Sequence, residues 1–143
     1  MNVAEILRAK GAGAITIVQT ETILDAAKIL RDKKFGSLVV RDRKGKLSGI
    51  ITERDIIRGI ADMGAAGLTL KVEDLMTREV KTCKSSDSIA EVMSLMALRR
   101  VRHIPVVENG DLLGMISSTD VVKYRLVEKA NEVEVLRDIS RSR

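Results

Sequence analysis

Two stretches of the chain carry the same hydrophobic stripe. Thr22-Ile23-Leu24-Asp25-Ala26-Ala27-Lys28-Ile29-Leu30 places apolar residues at 23, 26, 27 and 30, the i, i+3, i+4, i+7 spacing of one helix face. Ser88-Ile89-Ala90-Glu91-Val92-Met93-Ser94-Leu95-Met96 places them at 89, 92, 93 and 96, the same register 66 positions on. Each predicted helix opens on a capping-box pair, Thr22 with Asp25 and Ser88 with Glu91, whose hydroxyl and carboxylate answer first-turn amides that lack helical partners. A short β-prone run precedes each, Ile15-Thr16-Ile17-Val18 and Val80-Lys81-Thr82-Cys83, and another follows each, Ser37-Leu38-Val39-Val40 and Ile104-Pro105-Val106-Val107.

A turn and a returning strand complete each copy. Glu108-Asn109-Gly110-Asp111 carries Asn-Gly, the residue pair that tolerates the two positive φ angles of a tight hairpin, and the first copy has the longer Asp42-Arg43-Lys44-Gly45-Lys46. Leu47-Ser48-Gly49-Ile50-Ile51 and Leu112-Leu113-Gly114-Met115-Ile116 return and run into Thr52-Glu53-Arg54-Asp55 and Ser117-Ser118-Thr119-Asp120, where new helices start. Ile56, Ile57 and Ile60 in one copy, and Val121, Val122 and Leu126 in the other, are expected to face inward.

The predicted fold is α/β (α+β): tandem β-α-β-β-α repeats, two small mixed sheets packed with helices, and a pseudo-twofold between them. The domain division is an N-terminal segment 1–13, repeat one over 14–62, a linker 63–76, repeat two over 77–128 and a helical tail 129–143. Apolar residues at 126, 127, 133, 136 and 139 suit a helix that packs on the core or on a second subunit.

At 143 residues the chain is long enough to bury a core without a disulfide or metal staple. Cys83 stands alone, so no intramolecular disulfide forms and a cysteine metal site lacks partners. No stretch approaches the length of a membrane span, and the expectation is a soluble, cytoplasmic protein. The net charge of +5 is concentrated: Lys28, Arg31, Lys33, Lys34, Arg41, Arg43, Lys44 and Lys46 face only Asp32 and Asp42. Such an excess attracts phosphate in any form, nucleotide or nucleic acid, and also suits a solvated face. Phe35 and Tyr124 are the only aromatics, which argues against stacking bases on aromatic platforms.

The two copies share Gly49-x-x-Thr52-x-x-Asp55 and Gly114-x-x-Ser117-x-x-Asp120. Taken singly, each is one more capping box. Its recurrence, and a preceding glycine that allows close approach of a ligand to the backbone, open a second reading. Free amides at a helix N-terminus suit phosphate, the hydroxyl adds a hydrogen bond, and a carboxylate one turn on accepts from adjacent sugar hydroxyls. Arg54, Arg100, Arg102 and His103 lie near enough in sequence to add cations. His103 lacks Asp, Glu or Cys at ligand spacing, so no metal is expected. There is no nucleophile with an adjacent base, no P-loop and no completed Gly-x-Gly-x-x-Gly at Lys10-Gly11-Ala12-Gly13-Ala14, so no enzyme is expected.

The duplicated unit, its Leu-x-Gly-Ile/Met-Ile strand and its Gly-x-x-Thr/Ser-x-x-Asp ending resemble the CBS domain over residues 10 to 128. The tandem is similar to a CBS pair, or Bateman module, of the stand-alone bacterial type. The resemblance implies adenosyl ligands such as AMP, ADP, ATP, NAD(H) or S-adenosylmethionine, in clefts between the repeats. By that likeness Asp55 and Asp120 would hold ribose hydroxyls, Thr52 and Ser117 phosphate or ribose, and Arg54 and Thr119 would line the same clefts. One cleft would join the second motif to Lys10, Gly13, Ile15, Thr16, Lys34, Phe35 and Gly36. The other would join the first motif to Met76, Thr77, Val80, Lys81, Val101, Arg102 and His103. Phe35-Gly36 stands where the second repeat has Arg102-His103, so the clefts are not equivalent. The likeness further implies a disc-shaped dimer of pairs and a regulator or sensor of adenine nucleotides, AMP and NAD(H) ahead of S-adenosylmethionine, acting on an unknown protein. The alternative is a nucleic-acid-binding accessory protein that uses the basic 28–46 region.

Overall fold

A computed structural model describes residues 1–11 and 13–141. In chain order the elements are α1 (Val3–Lys10), β1 (Thr16–Val18), α2 (Ile23–Lys33), β2 (Ser37–Arg41), β3 (Leu47–Thr52), α3 (Glu53–Met63), a 3-10 segment (Gly64–Thr69), α4 (Val72–Leu75), α5 (Ile89–Arg99), β4 (His103–Glu108), β5 (Asp111–Ser117) and α6 (Ser118–Arg141). They fall into two compact units. One holds Gly13–Lys81 and Asn109–Leu113, the other Met1–Ala12, Thr82–Glu108 and Gly114–Arg143.

In the unit built on Gly13–Lys81, the sheet order is β1-β2-β3. β1 runs parallel to β2, with Ile17 opposite Val40, and β2 antiparallel to β3, with Val39 opposite Ile50. The strand-helix-strand step followed by a hairpin is the expected topology. As the central strand, β2 buries Ser37, Leu38, Val39 and Val40 in succession, which is why it reads as a continuous apolar run and not an alternation. Ile23, Ala26 and Leu30 of α2 meet Leu38, Val40, Ile51 and Ile56 in the core. The Thr22 hydroxyl caps α2 by accepting from the Asp25 amide at 3.1 Å.

The expectation for α3 is half corrected. Ile56 is buried, whereas Ile57 is 64% and Ile60 41% exposed. The buried residues of α3 are Asp55, Ile56 and Gly59, one face at helical spacing. Gly59 lets that face approach α4 so closely that a Cβ there would collide with Leu75 Cδ1, and this turns 57 and 60 outward.

In the other unit, α1 buries Val3, Ile6 and Leu7, and its first turn is held by the Val3 amide donating to Asp87 O and the Ala4 amide to Ser85 O, both at 2.9 Å. Ser88 and Glu91 complete both halves of the capping box on α5. β4 and β5 form a two-stranded sheet, and their turn residues Asn109 and Gly110, which fall in the unit built on Gly13–Lys81, have φ angles of 52° and 81°, both positive, as the Asn-Gly pair predicts.

The strand expected over 80–83 shrinks to one parallel bridge, Cys83 to Val106. Turns clamp it on both sides. The Val80 amide donates to Arg78 O at 3.1 Å, and the Lys84 amide to Asp87 Oδ2 at 2.9 Å, so only Cys83 stays extended long enough to pair. On α6, Val121 and Tyr124 are buried, but Val122 and Leu126 are 59% and 65% exposed, again against expectation. Helix periodicity explains it: 121 and 124 share a face that 122 and 126 leave. Val127, Val133, Leu136 and Ile139 are exposed too, so the helical tail does not bury its apolar side within this chain.

Candidate functional site

Thr52 ends β3 and caps α3. Its hydroxyl oxygen accepts from the Asp55 amide at 3.3 Å, and Asp55 Oδ2 accepts from the Thr52 amide at 2.9 Å and the Thr52 hydroxyl at 3.1 Å. Asp55 Oδ1 faces the Thr77 hydroxyl at 3.5 Å, the outer limit of a hydrogen bond. Asp55 is 8% exposed, an unusual depth for a carboxylate, and the cap contacts compensate its burial.

Thr77 reaches Asp55 because it exchanges two backbone hydrogen bonds with Ile50, at 3.0 and 2.9 Å. The Met76-Thr77 segment therefore lies directly on Gly49. A Cβ at residue 49 would come within 2.7 Å of Met76 Sδ and 2.8 Å of Thr77 O. The glycine ahead of the first motif was expected to admit a ligand, and what it admits is the chain itself.

The second motif repeats the cap. The Asp120 amide donates to Ser117 Oγ at 3.1 Å, and the Ser117 amide to Asp120 Oδ2 at 2.9 Å. Its surroundings differ. Lys10 Nζ, at the end of α1, donates to Asp120 Oδ2 at 2.7 Å and to Met115 O at 2.9 Å. Burial pushes the Asp120 carboxyl up, and the Lys10 ammonium and the Ser117 groups more than offset it, so its pKa sits below the ordinary carboxylate value.

The repeat extends to backbone detail. Gly36 O accepts from the Glu53 amide at 3.1 Å, and Arg102 O from the Ser118 amide at 2.8 Å, so the residue before β2 or β4 is tied to its own repeat's motif helix. Lys34 and Arg100, which end α2 and α5, both adopt the left-handed conformation at φ 55°.

The sequence-predicted residues distribute as follows. Thr52, Arg54, Asp55, Gly13, Ile15, Thr16, Lys34, Phe35, Gly36, Met76, Thr77, Val80 and Lys81 belong to the unit built on Gly13–Lys81, and Lys10, Ser117, Thr119, Asp120, Val101, Arg102 and His103 to the other. The structure brings Thr52, Asp55, Met76 and Thr77 together in the first, and Lys10, Ser117 and Asp120 in the second. Arg54, Thr119, Lys34, Phe35 and Arg102 are exposed, and Met76 is buried. Met115, whose carbonyl anchors Lys10, was not singled out in the sequence, because a carbonyl acceptor leaves no residue-type signature. Among the described residues no group of three His, Cys, Asp or Glu could hold a metal ion, and no helix is long and apolar enough to cross a membrane.

A profile of the CBS domain matches residues 3–62 and 72–127. The chain belongs to the CBS-domain family. Its fold is that of solved CBS-domain proteins. The CBS-domain-containing protein ATU1752 from Agrobacterium tumefaciens superposes with a TM-score of 0.84 at 40% identity, covering 87% of this chain and 92% of the other. A putative signal-transduction protein with CBS domains from Burkholderia ambifaria gives 0.83 at 35% identity, covering 89% and 95%. The mitochondrial CBS domain-containing protein CBSX3 of Arabidopsis thaliana is 34% identical over 142 residues, 94% of this chain and 69% of its own length. The CBS pair spans 63% of another curated relative, from Acidianus ambivalens.

Proposed function

We propose that this CBS pair is a regulatory module that binds adenine nucleotides, AMP or NAD(H) ahead of S-adenosylmethionine, and signals occupancy to a protein partner instead of catalysing a reaction. The observation that supports it best is the pair of matching caps. At the same place in both repeats a hydroxyl residue and an acid cap each other chiefly through Oδ2, and Oδ1 of Asp55 keeps only a marginal contact. A ribose offers two adjacent hydroxyl donors for such an oxygen, while the first-turn amides and the Thr52 and Ser117 hydroxyls suit phosphate. In this reading Arg54 and Thr119, and the residues grouped with each motif by the family likeness, line the ligand.

The apolar side chains left in solvent on α3 and α6 favour a homodimer of CBS pairs. The lone buried Cys83 fits a reducing, cytoplasmic setting. Calorimetric titration with AMP, NADH and S-adenosylmethionine tests the reading, together with Asp55→Asn and Asp120→Asn. Each variant should weaken one site by about tenfold or more, the loss of roughly one charge-assisted hydrogen bond. No adenosyl binding, or binding untouched in both variants, would remove it, and tighter binding of DNA than of any nucleotide would return the basic 28–46 region to the foreground.

A further inference from the structure

Resting on the adenosyl reading above, we infer that Lys10 makes the two copies of the motif choose different ligands: the Asp120 copy takes a phosphorylated adenosyl ligand, and Lys10 is the residue that demands the phosphate.

An ammonium has three N–H donors and no acceptor. Lys10 spends one on Asp120 Oδ2 at 2.7 Å and one on Met115 O at 2.9 Å. The side chain is 32% exposed, so the third donor has room to meet an anion. Two fixed acceptors hold the head group in one place, and a cation held beforehand loses little freedom when phosphate arrives. Both the ammonium and the Ser117 amide bind Asp120 through Oδ2, which leaves Oδ1 the less occupied oxygen. The copy thus presents an acceptor for a sugar hydroxyl and a donor for a phosphate on one helix N-terminus, with a net charge near zero from the pair.

The Asp55 copy lacks this arrangement. Where Asp120 meets an ammonium at 2.7 Å, Asp55 faces the neutral Thr77 hydroxyl at 3.5 Å. A hydroxyl supplies no positive charge of the kind the Lys10 ammonium supplies, so this copy favours a phosphorylated ligand over an unphosphorylated one less than the Asp120 copy does. The two motifs are nearly identical in sequence, and their difference comes from outside them, from α1 and from the Met76-Thr77 segment.

The anchoring makes Lys10 separable from the fold. α1 is held by its buried Val3, Ile6 and Leu7 and by its first-turn amides, whereas Lys10 lies exposed at its far end. Lys10→Met should therefore fold as the parent does, and Lys10→Arg keeps the charge.

Titrations of AMP and of adenosine into the parent, Lys10→Met, Lys10→Arg and Asp120→Asn chains test the assignment. The parent should prefer AMP at the site that Asp120→Asn weakens. Lys10→Met should lose about tenfold in AMP affinity with adenosine little changed, and Lys10→Arg should restore most of it. An AMP-to-adenosine ratio unchanged in Lys10→Met, or an equal loss for both ligands, would overturn the role of Lys10 and leave the adenosyl reading standing. No binding of either ligand to the parent, or binding indifferent to Asp120→Asn, would overturn that reading and this assignment with it.

Discussion

Gly49 and Thr77 are packed so tightly that a methyl group at residue 49 would stand 2.8 Å from the Thr77 carbonyl oxygen and 2.7 Å from Met76 Sδ. The sulfur lies at the end of a flexible side chain and can move. The carbonyl cannot, because Thr77 and Ile50 are joined by two backbone hydrogen bonds.

Gly49→Ala should therefore destabilise the fold by about 1–3 kcal/mol, the range for overpacking a well-filled site. Urea unfolding measures it. The same substitution should move Thr77 away from Asp55, so ligand affinity at that copy falls as well. Stability equal to that of the parent would show that the segment yields freely.

A second prediction concerns acid. The folded-state pKa of Asp120 lies below that of an unfolded aspartate, about 3.9. Its contribution is then present in full above the unfolded value and disappears as pH falls through the folded one. The pair is partly exposed, at 32% and 17% for the two side chains, so the effect is limited to about 1 kcal/mol. Unfolding free energies of the parent and Asp120→Asn should differ near neutral pH and converge once pH has fallen through the lowered folded-state value. A constant gap at all pH values would count against an ionic origin.

The thiol gives a third. Burial pushes the Cys83 pKa up to about 12, with the Asp87 charge adding to it, and the residue is 4% exposed. The thiolate is the reactive form. A thiol reagent at pH 8 should label native protein far more slowly than urea-unfolded protein, with one equivalent taken up only after unfolding. Rapid stoichiometric labelling of the native chain would mean that the Cys83–Val106 bridge opens readily.

How far these features were legible in the sequence follows from the range of the interactions behind them. The caps at Ser88–Glu91, Thr52–Asp55 and Ser117–Asp120 span three residues, and the Asn109-Gly110 turn spans two, so local pattern was enough for each. The order of strands followed from chain connectivity. By contrast, Ile57 and Ile60 face solvent because Gly59 meets Leu75, and Val80 to Thr82 stay unpaired because turns close on either side of Cys83. Within the candidate site, Thr52, Asp55, Ser117 and Asp120 were visible as a repeated motif. Their different partners had no local signature, for Lys10 meets Asp120 across 110 positions and Thr77 meets Asp55 across 22, and only the family likeness grouped each with its motif.

The last prediction addresses the exposed apolar side chains. On α3, Ile57 is 64% exposed, and on α6, Val122 and Leu126 are 59% and 65% exposed. Single exposed apolar residues are ordinary, but several along one helix face, as at Ile57 and Ile60 on α3 or Val122 and Leu126 on α6, are what a partner subunit covers. If a second copy covers them, a charge placed there should weaken association and spare the fold, since exposed substitutions away from special features change stability by only about 0.5 kcal/mol. Ile57→Glu and Leu126→Glu should each weaken the dimer at least tenfold in sedimentation equilibrium, with the unfolding midpoint of the dissociated chain little changed. A parent chain that is monomeric at micromolar concentration, or variants that dimerise as the parent does, would leave those faces without a second copy as their occupant.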